Sequence, residues 1–142
     1  QKTAYEIKEC DWSSDVCSSD LWNVDRIGGT EKTFCCFNAA APDYAKVGLM
    51  ILNNGMTGDK RIISTDWVKR ITTPVEKLDG WGYGALTWHP FEGTSMMDGL
   101  HGQYVFIDPK TRTVIVKLSD VPTGLDLSRP TAAVFKQVSE QN

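Results

Sequence analysis

Only about 120 of the 142 residues read as material for a fold. Gln1 to Leu21 does not read as protein. Trp12-Ser-Ser-Asp15 is followed at once by the near-copy Cys17-Ser-Ser-Asp20. The whole stretch resembles the conceptual translation of a sequencing-library adapter, with Lys8-Glu9 where a variable index would be read. On this reading residues 1–21 are a non-native, disordered polar tail, and the native chain begins near Trp22 with its own N-terminus missing. Residues 22–142 then form one small domain or part of a larger one.

The division changes what composition says. The full chain carries 15 basic and 18 acidic residues, a net charge of −3. Two of the lysines and five of the acids fall within residues 1–21, which leaves 13 of each sign beyond them. A neutral remainder gives no electrostatic footprint for nucleic acid or an anionic membrane surface. Cys10 and Cys17 also fall in the suspect stretch. The vicinal pair Cys35-Cys36 reads as two small buried thiols, without metal-ligand spacing to His89 or His101. No run of 18 apolar residues occurs, so no transmembrane helix is expected.

From Trp22 onward, local signals alternate between helix and strand. Trp22–Thr33 reads as irregular, with a turn at Gly28-Gly29. Asn38 is placed to cap a helix running to about Asn53, on which Tyr44, Val47, Gly48, Ile51 and Leu52 form one apolar stripe. Asn53-Asn54-Gly55 supplies a left-handed stop. Thr57–Lys60 is a turn, and Arg61–Ile63 is extended. Ser64 caps a short helix that ends at Thr72-Thr73-Pro74. Gly82–Trp88, Gln103–Ile107 and Thr113–Leu118 read as strands, the last two joined by Asp108–Thr111. Ser128 and Pro130 open a final helix carrying Val134, Phe135 and Val138. The order helix, helix, three strands, helix predicts an α+β fold: a three-strand antiparallel meander with flanking helices and a C-terminal helix.

Motifs for chemistry are sparse. There is no Gly-x-Ser-x-Gly elbow. None of Ser64, Ser95, Ser119, Ser128 and Ser139 is followed by lysine three residues on, and no Tyr-x-Asn follows Tyr44, Tyr83 or Tyr104. Lys110-Thr111-Arg112 reads as a solvated turn. Gly80–Gly84 leads into a strand rather than a helix, so it does not cradle phosphate. One constellation remains. Gly99-Leu100-His101-Gly102-Gln103-Tyr104 runs straight into a hydrophobic strand, where a substrate can lie along exposed backbone.

Six ordered blocks then carry a resemblance. They are Phe34–Gly48, Leu52–Gly55, Lys60–Ser64 with Trp67-Val68, Trp81–Gly84, His101–Pro109 and Thr113–Val116. Together they resemble the C-terminal part of a β-lactamase-related serine hydrolase. That superfamily includes class C β-lactamases, penicillin-binding esterases and 6-aminohexanoate-dimer hydrolases. The resemblance implies a partial β-lactamase/DD-peptidase-like fold and hydrolysis of an amide or ester through an acyl-enzyme. It implies a small-molecule substrate, a β-lactam, D-amino peptide, ester or short oligoamide. It implies no metal or organic cofactor, and a periplasmic or other extracytoplasmic compartment.

Residue by residue, it places Gln103 as a backbone donor to the oxyanion and Gly102 as the clearance beside it. His101 stands at the motif's middle position, as a catalytic or orienting group. Leu100 and Tyr104 line the substrate. Leu100 departs from the Lys or His usual at the motif's first position. The nucleophile and general base of the family lie upstream of Trp22, so this chain is expected to be inactive by itself. Two other readings compete: a non-catalytic binding or sensor domain on the same fold, which Leu100 favours, and an unrelated α+β interaction domain.

Overall fold

The computed structural model describes residues 4–6, 21–23, 25–30, 37–122 and 124–141. The four cysteines, both Ser-Ser-Asp repeats and Phe34 lie outside the described residues. The chain divides into two units, Gln1–Asp43 and Tyr44–Asn142.

The first unit holds a small antiparallel sheet of β1 (Ala4–Glu6), β2 (Leu21–Asn23) and β3 (Phe37–Asn38), in that order. Ala4–Glu6 and Leu21, from the stretch read as adapter, therefore take part in strand pairing. Leu21–Asn23 is a strand where an irregular segment was expected at Trp22. The pairing that makes it one is non-local, with Tyr5 opposite Trp22 and Leu21 opposite Asn38. Asp25 to Thr30 closes on itself as a turn, as Gly28 suggested. Thr30 N donates to Asp25 Oδ1 at 3.0 Å.

In the second unit, most of α1 (Ala41–Leu52) is followed by a tight hairpin of β4 (Met56–Thr57) and β5 (Lys60–Arg61). Asn38 stands in β3 rather than capping α1, whose first turn instead holds Pro42, where a missing N–H costs nothing. The C-terminus of α1 is the expected left-handed stop. Asn54 has φ +56°, Asn54 N donates to Ile51 O at 3.0 Å, and Gly55 N donates to Met50 O at 2.8 Å. α2 (Thr65–Thr72) is capped by Ser64, whose Oγ accepts from Trp67 N at 3.1 Å.

The main sheet has six strands, twice the number expected. They are β6 (Glu76–Leu78), β7 (Trp81–Gly84), β8 (Thr87–His89), β9 (Ser95–Gly99), β10 (Gln103–Asp108) and β11 (Thr113–Lys117). Each lies antiparallel beside its neighbour in sequence. Gly82–Trp88 is not one strand but the β7–β8 hairpin. Ala85 and Leu86, at φ +47° and +59°, make a primed turn without the usual glycine or asparagine. β9 carries Met, Asp and Gly, residues with little β propensity, and is made a strand by its five-residue register with β10. α3 (Ser128–Ser139) completes the unit, opened by Asp126, whose Oδ1 accepts from Ser128 N at 2.8 Å.

The register sorts the sheet into two faces. Tyr83, Trp88, Met96, Phe106 and Ile115 form one row across five strands. Trp88, Met96, Phe106 and Ile115 of that row share a core cluster with Phe135 of α3, whose ring lies 5.8 Å from that of Phe106. On the other face Met97, Val105, Ile107, Val114 and Val116 meet Ile51 of α1 and Val68 of α2. β10 is buried on both faces, with Phe106 and Ile107 at 0% and 1% exposure.

Two contacts tie helices to the sheet. A Cβ on Gly48 would lie 2.5 Å from Val114 Cγ1 and 3.2 Å from Val105 Cγ1, so α1 lies on β10 and β11 only because the side chain is absent. On the other face Asp108 accepts from Lys136 Nζ and Ser139 Oγ, both at 3.0 Å, and from Lys110 N at 3.0 Å. Burial alone would push the Asp108 carboxyl up, but these bonds outweigh it and hold the carboxyl below its ordinary range.

Gly48→Ala should gain about 1 kcal/mol of helix propensity. It should still lower the melting temperature, because overpacking costs about 1–3 kcal/mol. Val114→Ala in the same chain should recover part of that loss. Asp108→Asn should cost about 2–3 kcal/mol at pH 7, the worth of hydrogen bonds to a charged group. A depressed carboxyl contributes stability above its unfolded value and loses it as pH falls through the folded one. Urea titrations should therefore show the gap between the Asp108→Asn variant and the wild-type chain closing on strong acidification.

Candidate functional site

Leu100-His101-Gly102 is the turn between β9 and β10, and the ladder closes with Gly99 opposite Gln103. Gly102 N donates to Gly99 O at 3.2 Å. His101 and Gly102 both adopt left-handed backbone, at φ +71° and +76°. Histidine is among the few side-chain-bearing residues that enter this region with any frequency, and it does so at some cost.

A compact set of bonds holds the turn in that conformation. The segment after β11 folds back along it. Val121 N donates to His101 O at 2.9 Å, and His101 Nδ1 donates to Val121 O at 2.9 Å. Asp120 Oδ1 lies 3.8 Å from the same Nδ1. The Ser119 hydroxyl points at two carbonyl oxygens, those of Gly102 at 2.6 Å and His101 at 3.0 Å. Lys117 Nζ donates to Gly102 O at 3.0 Å and to Ser119 Oγ at 2.8 Å. A Cβ on Gly102 would meet Ser119 Oγ at 3.0 Å and Val121 Cγ2 at 3.1 Å, besides requiring a strained φ.

The expected site residues thus share one turn but not one environment. Leu100 is 74% exposed, outside the ladder. Gln103 is exposed at the head of β10. Tyr104 is buried, its ring edge-on to Phe135 at 6.1 Å and beneath Lys117 Nζ at 5.3 Å. Trp81 and Tyr83 each meet Trp88, the first edge-on at 6.1 Å and the second tilted at 4.6 Å. The His101 ring is engaged by Val121. His89 is buried in β8, its Nδ1 3.0 Å from Thr94 O, and burial lowers its pKa despite that bond. It lines a groove of about 790 Å³ with Thr72, Pro74, Glu76 and Lys77, away from the turn.

Sequence reasoning missed Lys117, Ser119 and Asp98. The strand register brings in Asp98 and Lys117, in one cross-strand row with Tyr104, and Ser119 follows two residues beyond the end of β11. Burial first, and the Asp126 carboxylate second, push Asp98 up to about 6.

Among known proteins, 104 aligned positions are 32% identical to the 6-aminohexanoate-dimer hydrolase of Paenarthrobacter ureafaciens, taking in 60% of this chain and 25% of that protein. No family model matches the chain. The structure superposes on a putative 6-aminohexanoate-dimer hydrolase from Bacillus anthracis with a TM-score of 0.73, over 86% of this chain and 34% of that one, at 23% identity. The fold is β-lactamase-like. Its antiparallel sheet with helices on both faces agrees with the α+β expectation. The chain spans about a quarter of the curated relative's length and about a third of the solved one's. Among the described residues, no helix of this β-lactamase-like fold is long and apolar enough to cross a membrane.

A carboxyl raised in the fold contributes stability below its ordinary value of 3.8 and loses that contribution as pH rises through about 6. Asp98→Asn should therefore melt higher than wild type at pH 7.5 and little differently at pH 4. Equal melting temperatures at pH 7.5 would show that Asp98 ionises freely in the fold.

Proposed function

We propose that this chain is the C-terminal part of a β-lactamase-related serine hydrolase that cleaves a short amide or ester through an acyl-enzyme. The observation that carries this reading is the 32% identity to a 6-aminohexanoate-dimer hydrolase, together with the shared fold. On the same reading residues 1–21 are a non-native, adapter-derived tail, and the attacking serine and its base lie in native sequence that the tail replaces.

Attack on the scissile carbonyl puts negative charge on its oxygen, which backbone N–H groups must meet. The Gly99–Gln103 turn offers two N–H groups that follow a glycine, those of Gln103 and Leu100. Gln103 is the donor that the resemblance implies. The geometry adds Leu100 as a second candidate. C=O and N–H of one trans peptide point in opposite directions. The Gly102 carbonyl faces Lys117 and Ser119, so the Gln103 N–H turns toward β9, whereas Leu100 lies outside the ladder. His101 serves as a brace for the turn through its bonds to Val121. A second reading, a non-catalytic binding domain, draws on Leu100 standing where the family usually has Lys or His.

The test is to sequence the source DNA upstream of the Trp22 codon and express the longer reading frame. It should carry Ser-x-x-Lys and Tyr-x-Asn and hydrolyse the 6-aminohexanoate dimer or a p-nitrophenyl ester. Removing the true oxyanion donor with proline, at Leu100 or at Gln103, should cost about 10²–10³ in kcat. Gln1–Asn142 alone should give no turnover and no acyl adduct in intact-mass spectra. A longer frame without those motifs would favour the binding domain.

A further inference from the structure

The bonds around Gly102 are more than a turn needs to close. Its carbonyl accepts from an ammonium at 3.0 Å and a hydroxyl at 2.6 Å, and the two donors are themselves bonded at 2.8 Å. Both come from the C-terminal end of β11 and the residues just after it. Lys117 directly faces Tyr104 in the register, and its ammonium lies over the Tyr104 ring. A cation bonded to a carbonyl is among the stronger hydrogen bonds a protein makes. It also polarises the peptide it touches. The left-handed pair His101-Gly102 is therefore held from the end of β11 and the residues after it, and within the turn itself Gly102 N donates to Gly99 O.

We infer that Lys117, with Ser119, is a positioning residue that locks the Gly99–Gln103 turn through the Gly102 carbonyl and so fixes the direction of the Gln103 N–H, the donor that the resemblance assigns to the acyl oxygen of the substrate. This rests on the proposed reading of the turn as the oxyanion-binding element. Lys117 touches no reacting atom. It acts through the Gly102 carbonyl, fixing the plane of the peptide that follows and the left-handed conformation of His101. The single proton of the Ser119 hydroxyl is shared between the Gly102 carbonyl at 2.6 Å and the His101 carbonyl at 3.0 Å. The cation the turn lacks at Leu100 is thus supplied to its backbone by the paired strand.

The test uses the full chain, Gln1–Asn142, labelled with ¹³C and ¹⁵N, as wild type, Lys117→Met, Lys117→Arg and Ser119→Ala. The Gly102 carbonyl shift reports bonds to that oxygen, and the HN–Hα coupling of His101 reports its φ. The Met substitution should move both, Ser119→Ala should move them less, and Arg should restore them. Free 6-aminohexanoate, added as a carboxylate probe, should shift the Leu100 or Gln103 amide in wild type and the Arg variant. Its apparent affinity should fall about tenfold with Met, the worth of one charge-assisted bond. Unchanged exchange at the Phe106 amide would show the sheet intact. A Gly102 carbonyl shift and a titration indifferent to Lys117→Met and Ser119→Ala overturn the inference alone. A wild-type turn whose amides ignore the probe overturns the oxyanion reading and the inference with it.

Discussion

The second unit depends on one constraint: β10 is buried on both faces, and everything else is arranged to cover it. Phe106 faces α3 and Ile107 faces α1 and α2, each with almost no exposure. A strand covered on both faces must read as a continuous apolar run, and Val105-Phe106-Ile107 does so. Strands β9 and β11 pair with it along nearly its full length, which satisfies its backbone while the helices satisfy its side chains.

Polar groups mark the two ends of this strand, and they do different work. At the C-terminal end Asp108 is buried and bonded to Lys136 and Ser139, which fastens α3 to the sheet. At the N-terminal end Gly102 and His101 are bonded to Lys117, Ser119 and Val121, which fastens a turn rather than a helix. The first is a structural anchor with a charged group inside the fold. The second leaves Leu100 and Gln103 of the same turn exposed. A rigid strand that ends in a braced, exposed turn is a suitable place to present N–H groups to a ligand.

Much of the fold was legible because its signals are local. Ser64 caps α2, Asn54 stops α1, and the β-branched runs of β10 and β11 pair as expected. The misreadings have two causes. β9 and β6 lack β propensity and exist through their partners, so a reading of each segment alone passes over them. Gly82–Trp88 looked like one strand because Ala85-Leu86 is an unusual pair for a primed turn. The candidate site was half legible. Gly99 to Tyr104 stood out by its glycines and its place before a hydrophobic strand. Lys117 and Ser119 carry no motif, and Tyr104, grouped with the substrate-lining residues, is packed under α3.

The sequence by itself determined the three helices, the apolar run of β10 and the place of the turn, since these follow from propensity, period and glycine. It also carried the likeness to a 6-aminohexanoate-dimer hydrolase, at 32% identity over 104 aligned positions. The tertiary structure decided which strands were neighbours, and with them which side chains share a row. That register brought Asp98, Tyr104 and Lys117 into line and placed an ammonium on the Gly102 carbonyl. Contacts between residues far apart in sequence depend on register and packing, which no local pattern encodes.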